Sequence, residues 1–375
     1  MQLIFFFSTF LLASTFLALL IRYSDIVGMV DIPNSRSAHK RATPRSGGIA
    51  IFGAFMLSSL LFNLAQFVEY FYIYSAISII FLIGFLDDKF DVSPRLKFLF
   101  IFISTLILYL YGVEISSIGT YFGYTLNLTA WIILPFTFFA VAGFTNSLNL
   151  MDGLDGLAGS IALIILIAFL SIGILNNDEL MITLSLSLIG TIIAFLLFNW
   201  NPAKIFMGDS GSLTIGFIIA LLSILSLQYI NPTAVLFIIA LPLLDTFIVM
   251  TRRIQRGISP FSADKNHIHH FLYNVKMDVP FVVILLASIQ GAFTLIGYQI
   301  RSAESVLSLL LFCLMFYIFL SLFDQRLKRR KQKGITKKRF AAIRTKVSKQ
   351  KPVETSTPDI PDEQEAPSMI PNVQH

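Results

Sequence analysis

Apolar residues in this chain come in blocks. Eleven runs, at roughly 3–21, 48–67, 70–86, 98–112, 130–145, 157–175, 180–199, 211–228, 232–250, 281–300 and 304–323, hold almost no charge. Most approach the ~20 residues a helix needs to cross hydrocarbon. The pattern predicts an all-α integral membrane protein, a multi-span helical bundle of about eleven transmembrane helices. The short run at 70–86 predicts a helix that tilts little or begins in the interface. The first run lacks a basic n-region and a clean small-residue cleavage site, and it is long, so it reads as a retained span.

Basic residues orient this bundle. Of the 28 Lys and Arg, all but Arg301 fall on connections after odd-numbered runs or in the C-terminal tail. The positive-inside rule then makes those connections cytoplasmic, with the N-terminus periplasmic and the C-terminus cytoplasmic. All five histidines fall on the same side, so the chemistry is expected there. From about 324 the chain becomes basic and then rich in Pro, Glu and Ser. This predicts a membrane domain over 1–323 and a disordered cytoplasmic tail over 324–375, attracted to anionic lipid headgroups and not to nucleic acid.

Composition sharpens the picture in two ways. Charged residues make up only 13% of the chain, about half the fraction of a soluble domain. The single cysteine, Cys313, excludes a disulfide framework and a thiolate metal site.

Five polar clusters interrupt this apolar chain on the expected cytoplasmic side. Asp87-Asp88-Lys89-Phe90-Asp91 closes the third run, with Lys97 following. Adjacent carboxylates can serve a general base or grip a divalent cation, and Lys97 suits a phosphate. In NSLNLMDGLDGLAGS, Asn149, Asp152 and Asp155 are spaced by three, so they share a face if the segment continues into the sixth helix. Capping explains one or two of its polar residues, and its glycines allow close approach to the backbone. Phe206-Met207-Gly208-Asp209-Ser210-Gly211-Ser212 predicts a tight turn with exposed amides. His267-Ile268-His269-His270 stands near Arg252, Arg253, Arg256 and Lys265; it suits a phosphate or a proton shuttle better than structural zinc. The first loop combines Arg36, His39, Lys40, Arg41 and Arg45 with a Gly47-Gly48 hinge. Asp245, alone among charged residues well inside a run, pairs in this reading with Arg252 or serves function. Together the clusters suggest phosphoryl chemistry on a lipid-borne reactant. A secondary transporter would keep its polar residues near the bilayer midplane, where this chain has almost none.

In order, the segments PNSRSAHKRATPRSGGIA, DDKFDVSPRLKF, NSLNLMDGLDGLAG, NWNPAKIFMGDSGSL and SPFSADKNHIHH resemble the motifs of the polyprenyl-phosphate N-acetylhexosamine-1-phosphate transferases. The resemblance covers about 22 to 275. HIHH followed by phenylalanine looks like the branch that handles UDP-GlcNAc or a related UDP-sugar, and not the muramyl-pentapeptide branch. The resemblance implies a multi-pass enzyme of the bacterial inner membrane that moves GlcNAc-1-phosphate from UDP-GlcNAc to undecaprenyl phosphate and releases UMP. Such a reaction would start a lipopolysaccharide O-antigen or another cell-envelope polymer. A UDP-N-acetyl-6-deoxyhexosamine or UDP-MurNAc-pentapeptide is the alternative donor. The resemblance implies Mg²⁺, with Mn²⁺ as a substitute, held by Asp209 and Asn149. Asp87 would activate the lipid phosphate and Asp88 support it. Lys97 would hold a phosphate, Asp155 the uracil, and Asn199 and Phe206 the nucleotide pocket. Asp152 would support that loop, and His267, His269 and His270 would contact phosphate or sugar. Asp245-Thr246 ahead of Arg252-Arg253 also fits the family pattern. A homodimer agrees with the family, although no residue here dictates one.

Overall fold

The computed structural model describes residues 2–31, 42–255, 257–259, 267–274, 277–303 and 305–323. The expected tail over 324–375, and Arg36, His39, Lys40, Arg41, Arg256 and Lys265, lie outside the described residues.

Helix α1 (Gln2–Arg22) is followed by the short α2 (Ser24–Val27) and an antiparallel ribbon of β1 (Val30–Asp31) and β2 (Thr43–Pro44). Then come α3 (Gly47–Phe62), the short α4 (Leu64–Glu69), α5 (Phe71–Phe90) and α6 (Pro94–Leu110). A second ribbon, β3 (Ser117–Tyr121) with β4 (Tyr124–Asn127), precedes α7 (Ala130–Met151), α8 (Leu157–Asn176), α9 (Glu179–Asn199) and α10 (Gly208–Ser226). The chain continues through α11 (Pro232–Ile238), α12 (Ala240–Gln255), α13 (Ile268–Asn274), α14 (Val279–Gln299) and α15 (Ser305–Phe323). The fold is thus helical as expected, apart from the two ribbons.

Seven of these helices are long and apolar enough to cross a membrane, or eight if α11 and α12 count as one span. Eleven were expected. The difference lies in short helices: α3 stops at Phe62, α15 is a shorter apolar helix, and α6 is 17 residues long with Arg95 and Lys97 in its first turn. Helix α10 forms the centre, packed by α3, α5, α7 and α8, and 89% of its most apolar stretch is buried. Helix α1 lies against α3 and α9 at the periphery, with only 22% buried.

The ninth apolar run is broken, with α11 and α12 meeting at 86°. A break inside hydrocarbon exposes backbone groups that water cannot satisfy. Here Gln290 of α14 supplies them: its Oε1 accepts the Leu241 N–H at 3.0 Å and its Nε2 donates to the Ile238 carbonyl at 2.7 Å and Thr294 Oγ1 at 2.8 Å. Gln290 is fully buried. Replacing it with leucine orphans the Leu241 N–H and leaves the Ile238 carbonyl only the Thr294 hydroxyl at 3.3 Å, and is expected to destabilise the fold by roughly 1–3 kcal/mol. A drop of several degrees in the apparent Tm of detergent-solubilised protein would show it.

Candidate active site

The site lies where α5 ends and α10 begins. Helix α5 runs one turn beyond its apolar stretch and carries Asp87 and Asp88 on that turn; Asp91, at φ +53°, terminates it. Asp87 Oδ1 accepts the Val92 N–H at 2.8 Å, which leaves Oδ2 to face the site. Lys97, in the first turn of α6, places its ammonium 2.6 Å from Asp87 Oδ2 and 2.7 Å from Asp209 Oδ2. Two carboxylates and one ammonium from three helices therefore share one point, and the α10 N-terminus adds its partial positive charge.

Asp88 points elsewhere. Its Oδ1 accepts the backbone N–H of Asp209 at 2.7 Å and its Oδ2 that of Ser210 at 2.9 Å. A helix start has donors without intrahelical partners, and here a side chain from a neighbouring helix takes two of them. Gly208 adopts φ +72°, and a Cβ there would lie 2.6 Å from Asp88 Oδ2, so the clamp needs glycine at 208. An amide cannot accept at both ends. Asp88→Asn should lose one of the two bonds and cost about 1–3 kcal/mol. The expected result is a lower apparent Tm together with a fall in turnover, larger in Asp88→Ala.

Glycines also set the spacing around α10. Gly47 and Gly48 do not form the expected hinge. They open α3 and donate to the Phe206 and Met207 carbonyls at 2.9 and 2.8 Å; Gly47 packs against Phe195, and Gly48 against Gly211 and Ser210. A Cβ on Gly84 would lie 2.6 Å from the Asp209 carbonyl oxygen. No side chain fits at these contacts without moving backbone.

NSLNLMDGLDGLAGS also folds differently from expectation. Helix α7 continues to Met151, so Asn149 sits on its last turn, and α8 starts only at Leu157. Gly156, at φ +79°, breaks the helical path between them. Asn149, Asp152 and Asp155 therefore do not share a helix face; they belong to a helix end and a loop. Asn149 Nδ2 donates to Ser212 Oγ at 2.8 Å, which fixes its amide beside α10. Asp155 Oδ2 accepts from Asn201 Nδ2 at 2.9 Å and the Ala203 N–H at 3.0 Å. Asn199 is buried with both amide atoms engaged, accepting from Gly156 N–H and donating to the Ile205 carbonyl, each at 2.8 Å. Together they stitch the loop after α7 to the loop after α9. Phe206 joins the same loop to β2 through its backbone N–H and the Pro44 carbonyl, 2.7 Å apart. Burial, with the Asp209 and Asp88 carboxylates behind it and Arg45 opposing, pushes Asp152 up to about 7.

The histidines lie at the start of α13, and His269 reaches the loop after α7. His269 is 1% exposed, neither of its ring nitrogens has a partner among the described residues, and its Nε2 occupies the space a Cβ on Gly153 would need. Burial first, then the neighbouring imidazoles, pulls His269 down to about 3, so it is neutral. His267 is stacked 5.9 Å from it, and His270 lies 4.3 Å away, ring to ring. Asp245 accepts from His267 Nδ1 at 2.8 Å and the Ile268 N–H at 2.9 Å. Sequence reasoning missed Ser212 and Asn201 as partners; both lie inside quoted motifs, but only the fold shows what they hold.

Among the described residues, no group of three or more His, Cys, Asp or Glu comes together as a metal cage. A cation here would have few protein ligands. Mg²⁺ binds in that way, retaining waters and phosphate oxygens.

Residues 70–227, which carry most of these groups, match glycosyl transferase family 4. Two relatives extend the likeness. The undecaprenyl-phosphate alpha-N-acetylglucosaminyl 1-phosphate transferase of Yersinia pestis is 32% identical over 332 residues, 83% of this chain and 88% of the relative. The protein of the same name from Escherichia coli (strain K12) is 28% identical over 334 residues, with the same coverage. This multi-pass membrane chain therefore belongs to glycosyl transferase family 4, alongside the undecaprenyl-phosphate N-acetylglucosaminyl 1-phosphate transferases.

Proposed function

We propose that this protein transfers N-acetylhexosamine-1-phosphate, with GlcNAc-1-phosphate the leading choice, from a UDP-sugar to undecaprenyl phosphate and releases UMP. One observation carries the reading: Lys97 is shared by Asp87 and Asp209 at the start of α10. Two anionic reactants repel each other, so a site that joins them needs positive charge at the point of attack and carboxylates to hold it. In this reading eleven helices cross the bacterial inner membrane, the N-terminus is periplasmic, and the tail over 324–375 is cytoplasmic with the site.

Asp87 takes the remaining proton of the lipid phosphate. The freed phosphate oxygen attacks the β-phosphorus of the UDP-sugar, and the bond from that phosphorus to the bridging oxygen breaks. UMP leaves with the electron pair. Asp88 keeps Asp209 in place throughout, and Lys97 neutralises phosphate charge. Asp155 and Phe206, on loops, and Asn199, at the end of α9, form the nucleotide pocket together with Asp152. His267, His269 and His270 face the donor's phosphates or sugar. The residues fit Mg²⁺, or Mn²⁺ in its place: Asp209 and Asn149 offer oxygen donors, and the ammonium between Asp87 and Asp209 marks a point that accepts positive charge. Bound there, the ion would neutralise charge on phosphoryl oxygens.

UMP release by purified protein given undecaprenyl phosphate and a panel of UDP-sugars, with Mg²⁺ or EDTA, tests the reading. Mg²⁺-dependent release with UDP-GlcNAc is expected. Activity only with a UDP-N-acetyl-6-deoxyhexosamine or UDP-MurNAc-pentapeptide would keep the chemistry and change the sugar. Silence with every donor from folded protein would reject the assignment.

A further inference from the structure

Asp245 lies outside the carboxylate and lysine cluster, and the reaction above gives it no part. It is a buried carboxylate, 1% exposed, on α12. Burying a charge is costly unless hydrogen bonds compensate it. Each of its oxygens has one donor, and both donors come from the start of the histidine segment: His267 Nδ1 and the Ile268 N–H. The carboxylate accepts only, so the proton in the 2.8 Å contact resides on Nδ1. That leaves Nε2 as the nitrogen able to address something else. His267 Nε2 is buried, and among the described residues no group bonds it.

A buried polar nitrogen without a partner costs about 1–3 kcal/mol. Rotating the ring would expose the other nitrogen instead, but Asp245 holds it. The imidazole is thus fixed in an orientation that leaves one polar atom without a partner among the described residues, beside His269, whose own nitrogens have none there either and lie against the Gly153 loop. Such an arrangement suits a polar ligand entering between α13 and that loop.

We propose that Asp245 is a positioning residue for the transferase reaction: it fixes the ring and the Nδ1-protonated form of His267, so that Nε2 contacts the UDP-sugar donor. This rests on the transferase reading given above. The chain of support runs from Gln290, which secures the break that starts α12, through Asp245 to His267. It gives a role to a carboxylate buried on α12.

Two measurements test it. In wild-type protein carrying ¹⁵N-histidine, the His267 signals are assigned by their loss in His267→Gln. Nδ1 of His267 should be protonated with or without UDP, and UDP should shift Nε2. A neutral ring with the proton on Nε2 would overturn the proposal whether or not turnover is ever observed. The second measurement is a double-mutant cycle. Asp245→Asn should raise KM for the UDP-sugar roughly tenfold, the scale on which partners behind a binding group act, while KM for the lipid phosphate stays constant. Added to His267→Gln, it should cost nothing further. Multiplying losses, or a fall in kcat alone, would mean that Asp245 only supports the fold. If Asp245→Asn does not fold, the wild-type spectrum still decides. If no UDP-sugar is turned over yet Nδ1 is protonated and UDP shifts Nε2, the reaction assignment fails and the positioning role stands.

Discussion

Asp209→Asn is expected to lower UMP release by about 10²–10³-fold, the loss seen when one group of a preorganised charge-stabilising set is removed. The substitution keeps the shape of the side chain and leaves the backbone N–H that Asp88 holds at 2.7 Å. It removes the negative charge 2.7 Å from Lys97, so the ammonium collapses onto Asp87 alone. Two consequences should appear together. The cation required by the proposed reaction loses its main oxygen ligand, and Asp87 becomes paired with Lys97 when it should accept a proton. Turnover at saturating UDP-sugar and lipid phosphate checks the first number. A thermal-shift titration with Mg²⁺ separates the causes, because the wild type should be stabilised and the variant should not. A variant that turns over within a few-fold of wild type would place the metal elsewhere.

The helices were legible in the sequence because hydrocarbon imposes a length, and each apolar run does contain a helix or a helix pair. Their number as spans was less legible. Residues such as Asn63 and Pro94 end or begin helices at points that an apolar count passes over. The break between α11 and α12 left no local signal beyond Pro242. The residue that satisfies it, Gln290, stands about fifty positions away in sequence, on α14. The same division runs through the site. The residue types and their clustering named Asp87, Asp209 and Lys97, because acids and a lysine at the mouth of a membrane helix have few structural uses. The division of labour between Asp87 and Asp88 was hidden. The two are neighbours on one helical turn, and only the packing of α10 against α5 shows that one faces Lys97 and the other holds backbone. Asp245 was visible as an anomaly, and its partner was not, because His267 reaches it across a segment that periodicity cannot place.

Gly84→Ala should be nearly as damaging as losing a catalytic group, although residue 84 carries no chemistry. Its Cβ would lie 2.6 Å from both the Asp209 carbonyl oxygen and the Ser210 Cα, and these are backbone atoms that cannot rotate away. Helix α10 cannot retreat easily, since Gly48 meets Gly211 on another side and α7 meets Gly216 on a third. The strain must therefore go into the first turn of α10, which carries Asp209. Overpacking of this kind costs about 1–3 kcal/mol, and a misplacement of about 1 Å at a reacting group costs about 10²-fold in rate. The expected result is a modest fall in apparent Tm with a far larger fall in kcat. Gly291→Ala is the control, because a Cβ there meets nothing within 4 Å; it should change neither quantity. Equal losses of stability and activity in Gly84→Ala would mean that the variant simply unfolds. Full activity would mean that α5 and α10 can separate without moving Asp209, and that the clamp from Asp88 does not fix the site.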